Sequence, residues 1–240
     1  MIRFFRDRKY EAFVYSQIGQ NHIKEKGENQ DSITFERIDE NAWFVALADG
    51  VSTAAFAKKG SIAAVESVRE CAEKILAGDL ADTNQDAIKV DIVKRWKSKF
   101  TSSWDDYATT LNFAICVNSK IIVGQIGDGL VVLNTDGYTK ILTDAEDFYS
   151  TETYALGTAV RKSTFKLDIV EYKEKITLYL ASDGIGKEVT EESRVELGKY
   201  IENMMRNDEK SVKDEIDTWV TGLGRKNSDD KSIGFVRWEE

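Results

Sequence analysis

The feature that most constrains this chain is an apolar run that stops on Asp-Gly, and it occurs more than once. Phe44-Val45-Ala46-Leu47-Ala48 runs into Asp49-Gly50-Val51-Ser52. A continuous apolar run of that length reads as a buried strand, and Asp-Gly breaks it sharply. A carboxylate at a strand end faces water at the lip of a sheet. The glycine beside it lets the backbone turn and lets its carbonyl approach a ligand closely. Ile176 to Gly184 repeats the pattern with Asp183-Gly184, and Ile121 to Gly129 repeats it with Asp128-Gly129.

Three further carboxylates stand at strand starts. Asp229-Asp230 precedes the strand-like run Ser232 to Trp238, and Asp31 precedes another such run. Acidic residues at strand ends along the whole chain can meet in space. Converging carboxylates repel one another unless a cation neutralises them, so the pattern points to a divalent metal site. With His22 the only histidine, a three-histidine zinc site is excluded, and oxygen donors favour Mg²⁺ or Mn²⁺.

Charge and cysteine usage narrow the function classes. The net charge of −9 argues against nucleic acid or an anionic membrane as a partner. Cys71 and Cys116 are expected to be buried free thiols. Neither has the basic surroundings of an activated thiolate, and no Cys-x5-Arg loop is present. No Gly-rich phosphate loop of the nucleotide-binding type occurs. No long apolar stretch follows Met1, so no signal peptide or membrane span is expected, and the protein is expected in the cytoplasm.

Periodicity gives the elements. Residues 1–9 read as a charged leader, and Tyr10 to Ile18 as a first strand. Asp31 to Arg37 and Ala42 to Ala48 read as a strand pair. Ile62, Val65, Val68, Ala72, Ile75 and Leu76 follow helical spacing until Gly78, and a second helix follows from about Gln85 to Ser102. Asp82 or Thr83 is the expected cap of that helix. Ala108 to Val117, Lys120 to Ile126, Leu130 to Asn134 and Tyr138 to Leu142 read as one antiparallel meander. Lys166 to Tyr172 and Ile176 to Ala181 read as a hairpin. Helices over Thr190 to Met205 and Ser211 to Thr221 precede the last strand. Runs of strands separated by helix pairs favour antiparallel sheets flanked by helices over a parallel doubly wound sheet. No linker or repeat divides the chain, so residues 1–240 read as one domain.

In order along the chain stand Asn29-Gln30-Asp31-Ser32, Ala48-Asp49-Gly50 and Ala108-Thr109-Thr110-Leu111. Gly127-Asp128-Gly129, Ala181-Ser182-Asp183-Gly184 and Asp229-Asp230-Lys231-Ser232 follow. Together these blocks resemble the metal-dependent Ser/Thr protein phosphatases, the type 2C or PPM family, in its bacterial form. The resemblance runs from about residue 15 to the end. It implies an α+β fold, a four-layer α-β-β-α sandwich of two antiparallel sheets flanked by helix pairs, with metals at one end of the sheets. It also implies a flap over residues 143–162, in which Ala155-Leu156-Gly157 matches the family's Leu-Gly.

The resemblance further implies a monomeric enzyme that hydrolyses phosphoserine and phosphothreonine in proteins phosphorylated by a Ser/Thr kinase. The reaction would be direct attack by a metal-bridging hydroxide, with two or three Mn²⁺ or Mg²⁺ ions. Asp49 would bridge two metals, Gly50 would offer its carbonyl, and Asp183 and Asp229 would complete the first metal. Asp128 with Asp183 would hold a third, weaker metal, and Asp31 would orient metal-bound water. The catalytic set would add His22 as general acid and Lys26 as phosphate binder. Three positions depart from the family pattern: Gln30 replaces a glutamate ligand of animal members, Lys26 replaces an arginine, and Gly129 replaces a serine. A non-catalytic phosphoprotein-binding module on the same fold, or a hydrolase of small phosphate esters, remain the alternatives.

Overall fold

The computed structural model describes residues 1–40, 42–143, 154–157, 164–223 and 227–239. Most of the 143–162 flap segment therefore lies outside the described residues. The chain opens with β1 (Ile2–Arg6), β2 (Tyr10–Gln17), a short helix α1 (Gln20–Lys24), β3 (Ser32–Arg37) and β4 (Trp43–Ala48). A helix pair, α2 (Ala57–Leu76) and α3 (Gln85–Ser98), follows. Then come β5 (Leu111–Val117), β6 (Lys120–Ile126), β7 (Leu130–Thr135), β8 (Tyr138–Thr143), β9 (Lys166–Glu171) and β10 (Lys175–Ala181). The chain ends with α4 (Asp183–Gly186), α5 (Arg194–Met204), α6 (Glu209–Leu223) and β11 (Lys231–Glu239).

The strands form two antiparallel sheets, ordered β1-β2-β11-β10-β7-β8 and β3-β4-β5-β6-β9. Side chains alternate across each strand, and the central strands of each sheet are covered on both faces. In β4, Trp43, Val45 and Leu47 enter the core between the sheets, while Phe44, Ala46 and Ala48 pack under the first helix pair. In β10, Ile176, Leu178 and Leu180 face the other sheet, while Tyr179 and Ala181 meet Ile201, Val212, Ile216 and Val220 of α5 and α6. Burial on both faces is why these strands read as continuous apolar runs. The result is the expected α-β-β-α sandwich.

Local readings differ from the structure at four places. Residues 2–6 are not a leader: β1 pairs with β2 from Ile2↔Tyr15 to Arg6↔Glu11. Its charged residues sit on an edge strand, where one face and one edge meet water. The meander is interrupted. β5 and β6 pair in one sheet and β7 and β8 in the other, so the chain crosses between sheets at Gly127-Asp128-Gly129. Gly127 takes φ +102° there, a conformation that needs glycine. β9 and β10 likewise belong to different sheets rather than to one hairpin. The cap of α3 is Asn84, whose side chain accepts from the Ala87 amide at 3.0 Å, while Asp82 pairs with Lys120 at 3.0 Å. Both cysteines are free and buried, as expected.

Candidate metal centre and active site

Antiparallel pairing brings the acidic strand ends together. Ser32 lies opposite Ala48, so Asp31 at the start of β3 and Asp49 at the end of β4 share one end of their sheet. Ala181 lies opposite Ile233, so Asp183 after β10 and Asp229-Asp230 before β11 share the corresponding end of the other sheet. The β6–β7 crossing adds Asp128. A cleft of about 330 Å³ opens between these ends. Asp49, Gly50, Asp128, Asp183, Asp229 and Asp230 line it, together with His22, Gln30, Thr110 and Lys187.

Asp49 is held by its backbone. Its amide donates to Thr110 Oγ1 at 3.0 Å, and its carbonyl accepts from the Thr110 amide and from Thr109 Oγ1, each at 2.8 Å. Thr109 bridges Gly50 on one side and Leu156 on the other. Leu156, in the segment expected to form a flap, is thereby tied to the strand end that carries Asp49. A Cβ at Gly50 would press on the Ala57 backbone at 2.8 Å, so the start of α2 leaves room only for glycine.

The carboxylates crowd one another. Burial, with the Asp31 and Asp183 carboxylates beside it, pushes Asp49 well above the ordinary carboxylate range. Burial also pushes Asp31 up to about 7, with the Asp230 and Asp183 charges adding to the rise and hydrogen bonds from Ser232 and Ser182 opposing it. Asp31 is 2% exposed. Its Oδ2 accepts from Ser182 Oγ at 3.0 Å, while its Oδ1 is buried with no hydrogen-bond partner among the described residues. Asp183 Oδ1 and Gln30 Oε1 are buried and unpartnered in the same way. Unsatisfied buried acceptors are rare and costly. Their grouping around an all-oxygen donor set fits a hard divalent cation. The carboxylates do not close on a single point: among the described residues, no three His, Cys, Asp or Glu side chains form a ready-made cage.

The adjacent aspartates at the start of β11 have different surroundings. Asp230 is 3% exposed and is taken up by the protein itself. Its Oδ1 accepts from the Gly19 amide at 2.6 Å, and its Oδ2 accepts from the Gln30 amide at 2.7 Å and meets His22 Nδ1 at 2.9 Å. Asp229 is exposed to the cleft. Lys231 fixes that turn by donating to the Asn227 and Asp229 carbonyls, both at 2.7 Å.

Lys26 is exposed, with left-handed backbone at φ 54°, and is not among the cleft-lining residues. Lys187 lines the cleft instead. Its Nζ lies 2.6 Å from Asp183 Oδ2 and 3.0 Å from Asp128 Oδ2. Burial alone would lower its pKa, but hydrogen bonds and charge from both aspartates outweigh burial and raise it. Sequence reasoning passed over Lys187, Ser182 and the anchoring work of Asp230. The four-residue step from Asp183 to Lys187 was the available signal, because α4 places such residues on one face.

Comparison with known proteins agrees with this architecture. The sequence model of the Protein phosphatase 2C family matches residues 18–221. Among curated proteins, none matches the chain by sequence. The fold is similar to that of RsbX, solved in complex with magnesium, at 13% identity and TM-score 0.63, with 100% of both chains covered. It is similar to the serine/threonine phosphatase Stp1 from Staphylococcus aureus at 14% identity and TM-score 0.64, covering 98% of this chain and 99% of that one. It is also similar to the catalytic domain of the phosphatase PstP, solved with two manganese ions, at 18% identity and TM-score 0.60, covering 97% and 99%. With the family match spanning most of its length, the chain belongs to the Protein phosphatase 2C family of metal-dependent protein-serine/threonine phosphatases.

Proposed function

We propose that this protein hydrolyses phosphoserine and phosphothreonine in protein substrates, using Mn²⁺ or Mg²⁺ bound in the cleft at the sheet ends. The observation that carries the reading is the crowd of Asp31, Asp49 and Asp183 carboxylates with two buried, unpartnered oxygens among them. The solved relatives with magnesium and with manganese support the choice of ion. Bound there, the ions would polarise the phosphoryl oxygens and supply an ionised water for direct attack, with no phosphoenzyme.

In this reading the Asp49, Asp183 and Asp229 carboxylates and the Gly50 carbonyl would hold the ions. Asp31, beside Asp49, would orient water at the ions. Asp230 is reserved for the backbone and for His22, whose Nδ1 it engages. That contact fixes the ring, so that its other nitrogen can protonate the leaving serine or threonine oxygen. Lys26, on the surface beside this loop, recruits the substrate phosphate as a point charge. The protein acts as a single-domain cytoplasmic monomer opposing a Ser/Thr kinase. Among the described residues, no helix is long and apolar enough to cross a membrane.

The test is phosphate release from a phosphothreonine peptide and a phosphotyrosine peptide, each with Mn²⁺, with Mg²⁺ and with chelator. Release that needs metal and prefers phosphothreonine is expected. Release that persists in chelator would contradict the metal reading. Metal binding with no release from either peptide would favour a phosphoprotein-binding module or a small phosphate ester as substrate.

A further inference from the structure

Asp128 and Asp183 reach the cleft from different places, the β6–β7 crossing and the end of β10, and one ammonium joins them. Lys187 Nζ contacts Asp183 Oδ2 at 2.6 Å and Asp128 Oδ2 at 3.0 Å. These are the two carboxylates that the family resemblance implies for a third, weaker metal. We propose that Lys187 serves as a tethered cation in that position, so that this protein binds two metal ions and carries the third positive charge on its own chain.

The inference rests on the two-metal reading above and deepens it. Lys187 follows Asp183 by four residues across α4, which holds its stem within reach of both partners. An ammonium has three donors and no fixed plane, so it can serve two carboxylates at once. Asp183 commits only Oδ2 to Lys187. Its buried Oδ1 has no partner among the described residues and stays available to a metal ion. A tethered group acts at an effective concentration on the order of millimolar or above. A weakly held divalent ion competes poorly against that, and it cannot share the position, because two cations there repel. A partly exposed ion pair of this kind adds little to stability. The Lys187 side chain is 53% exposed, so folding gives little reason for the arrangement.

Mn²⁺ titration calorimetry on the wild type, Lys187→Gln and the double variant Lys187→Gln/Asp128→Asn tests this. The wild type is expected to take up about two Mn²⁺ per chain. Lys187→Gln is expected to gain about one further, weaker equivalent, and the double variant to lose it again. A third equivalent already present in the wild type and unchanged by Lys187→Gln would overturn the proposal. So would a Lys187→Gln protein that binds no more than the wild type. A wild type that binds no Mn²⁺ would overturn the two-metal reading, and this proposal with it.

Discussion

Asp49 and Asp230 line the same cleft, and their surroundings give them opposite tasks. Asp49 lies beside two other carboxylates, whereas Asp230 is surrounded by donors: two backbone amides and an imidazole. Asp230→Ala is therefore expected to cost folding stability, because the Gly19 and Gln30 amides lose their acceptor. Each stranded donor costs about 1–3 kcal/mol, so urea denaturation should show a loss of about 2–6 kcal/mol. Asp230→Asn keeps one acceptor and should lose less. Equal stability of wild type and Asp230→Ala would show that those amides find other partners. The sequence made the Asp-Gly carboxylates legible, because a strand ending on Asp-Gly is a local pattern. It left Lys187 and the anchoring of Asp230 unread, because their partners lie in strands and loops far away along the chain.

At the scale of elements, helical periodicity located most of the core faces of both helix pairs, but Ile62, expected on the apolar stripe of α2, is exposed. What it missed came from neighbours. Gly60 lies within α2, and a Cβ there would overlap the Tyr107 carbonyl oxygen. The Gly60 carbonyl also accepts from the buried Trp96 Nε1 of α3 at 3.0 Å. Gly60→Ala should destabilise by about 1–3 kcal/mol or more through forced separation of these segments, although alanine is the better helix former. An unchanged midpoint of thermal unfolding would contradict that packing. The same helix pair is joined by Glu70, Asp91, Arg95, Lys74 and Lys99. Burial acts to raise Glu70 and Asp91, but their lysine and arginine partners outweigh it, and both carboxyls lie below their ordinary values. A depressed carboxyl stabilises the fold above its unfolded pKa, and that contribution disappears as pH falls through the folded value. Glu70→Gln should therefore melt below wild type at pH 7, and the gap should close on acidification below about 4. A gap independent of pH would remove this network from the account.

At the scale of the molecule, element order favoured antiparallel sheets flanked by helices, and the family resemblance implied two of them between helix pairs. They were not enough for strand pairing across the β6–β7 and β9–β10 connections. A hairpin and a crossing between sheets use similar strands and short polar loops, and only packing tells them apart. The difference matters because the β6–β7 crossing delivers Asp128 to the cleft opposite Asp183. Antiparallel return of every strand gathers the acidic ends at one end of the sandwich, and the central claim is that they do so to hold the ions that drive phosphate release. The most direct measurement is phosphate release from a phosphothreonine peptide under saturating Mn²⁺, comparing wild type with Asp49→Asn and checking both for the same circular dichroism. The account predicts turnover in the wild type and a loss of at least about a hundredfold in the variant, its fold intact. Turnover at wild-type level in a folded Asp49→Asn protein would contradict it.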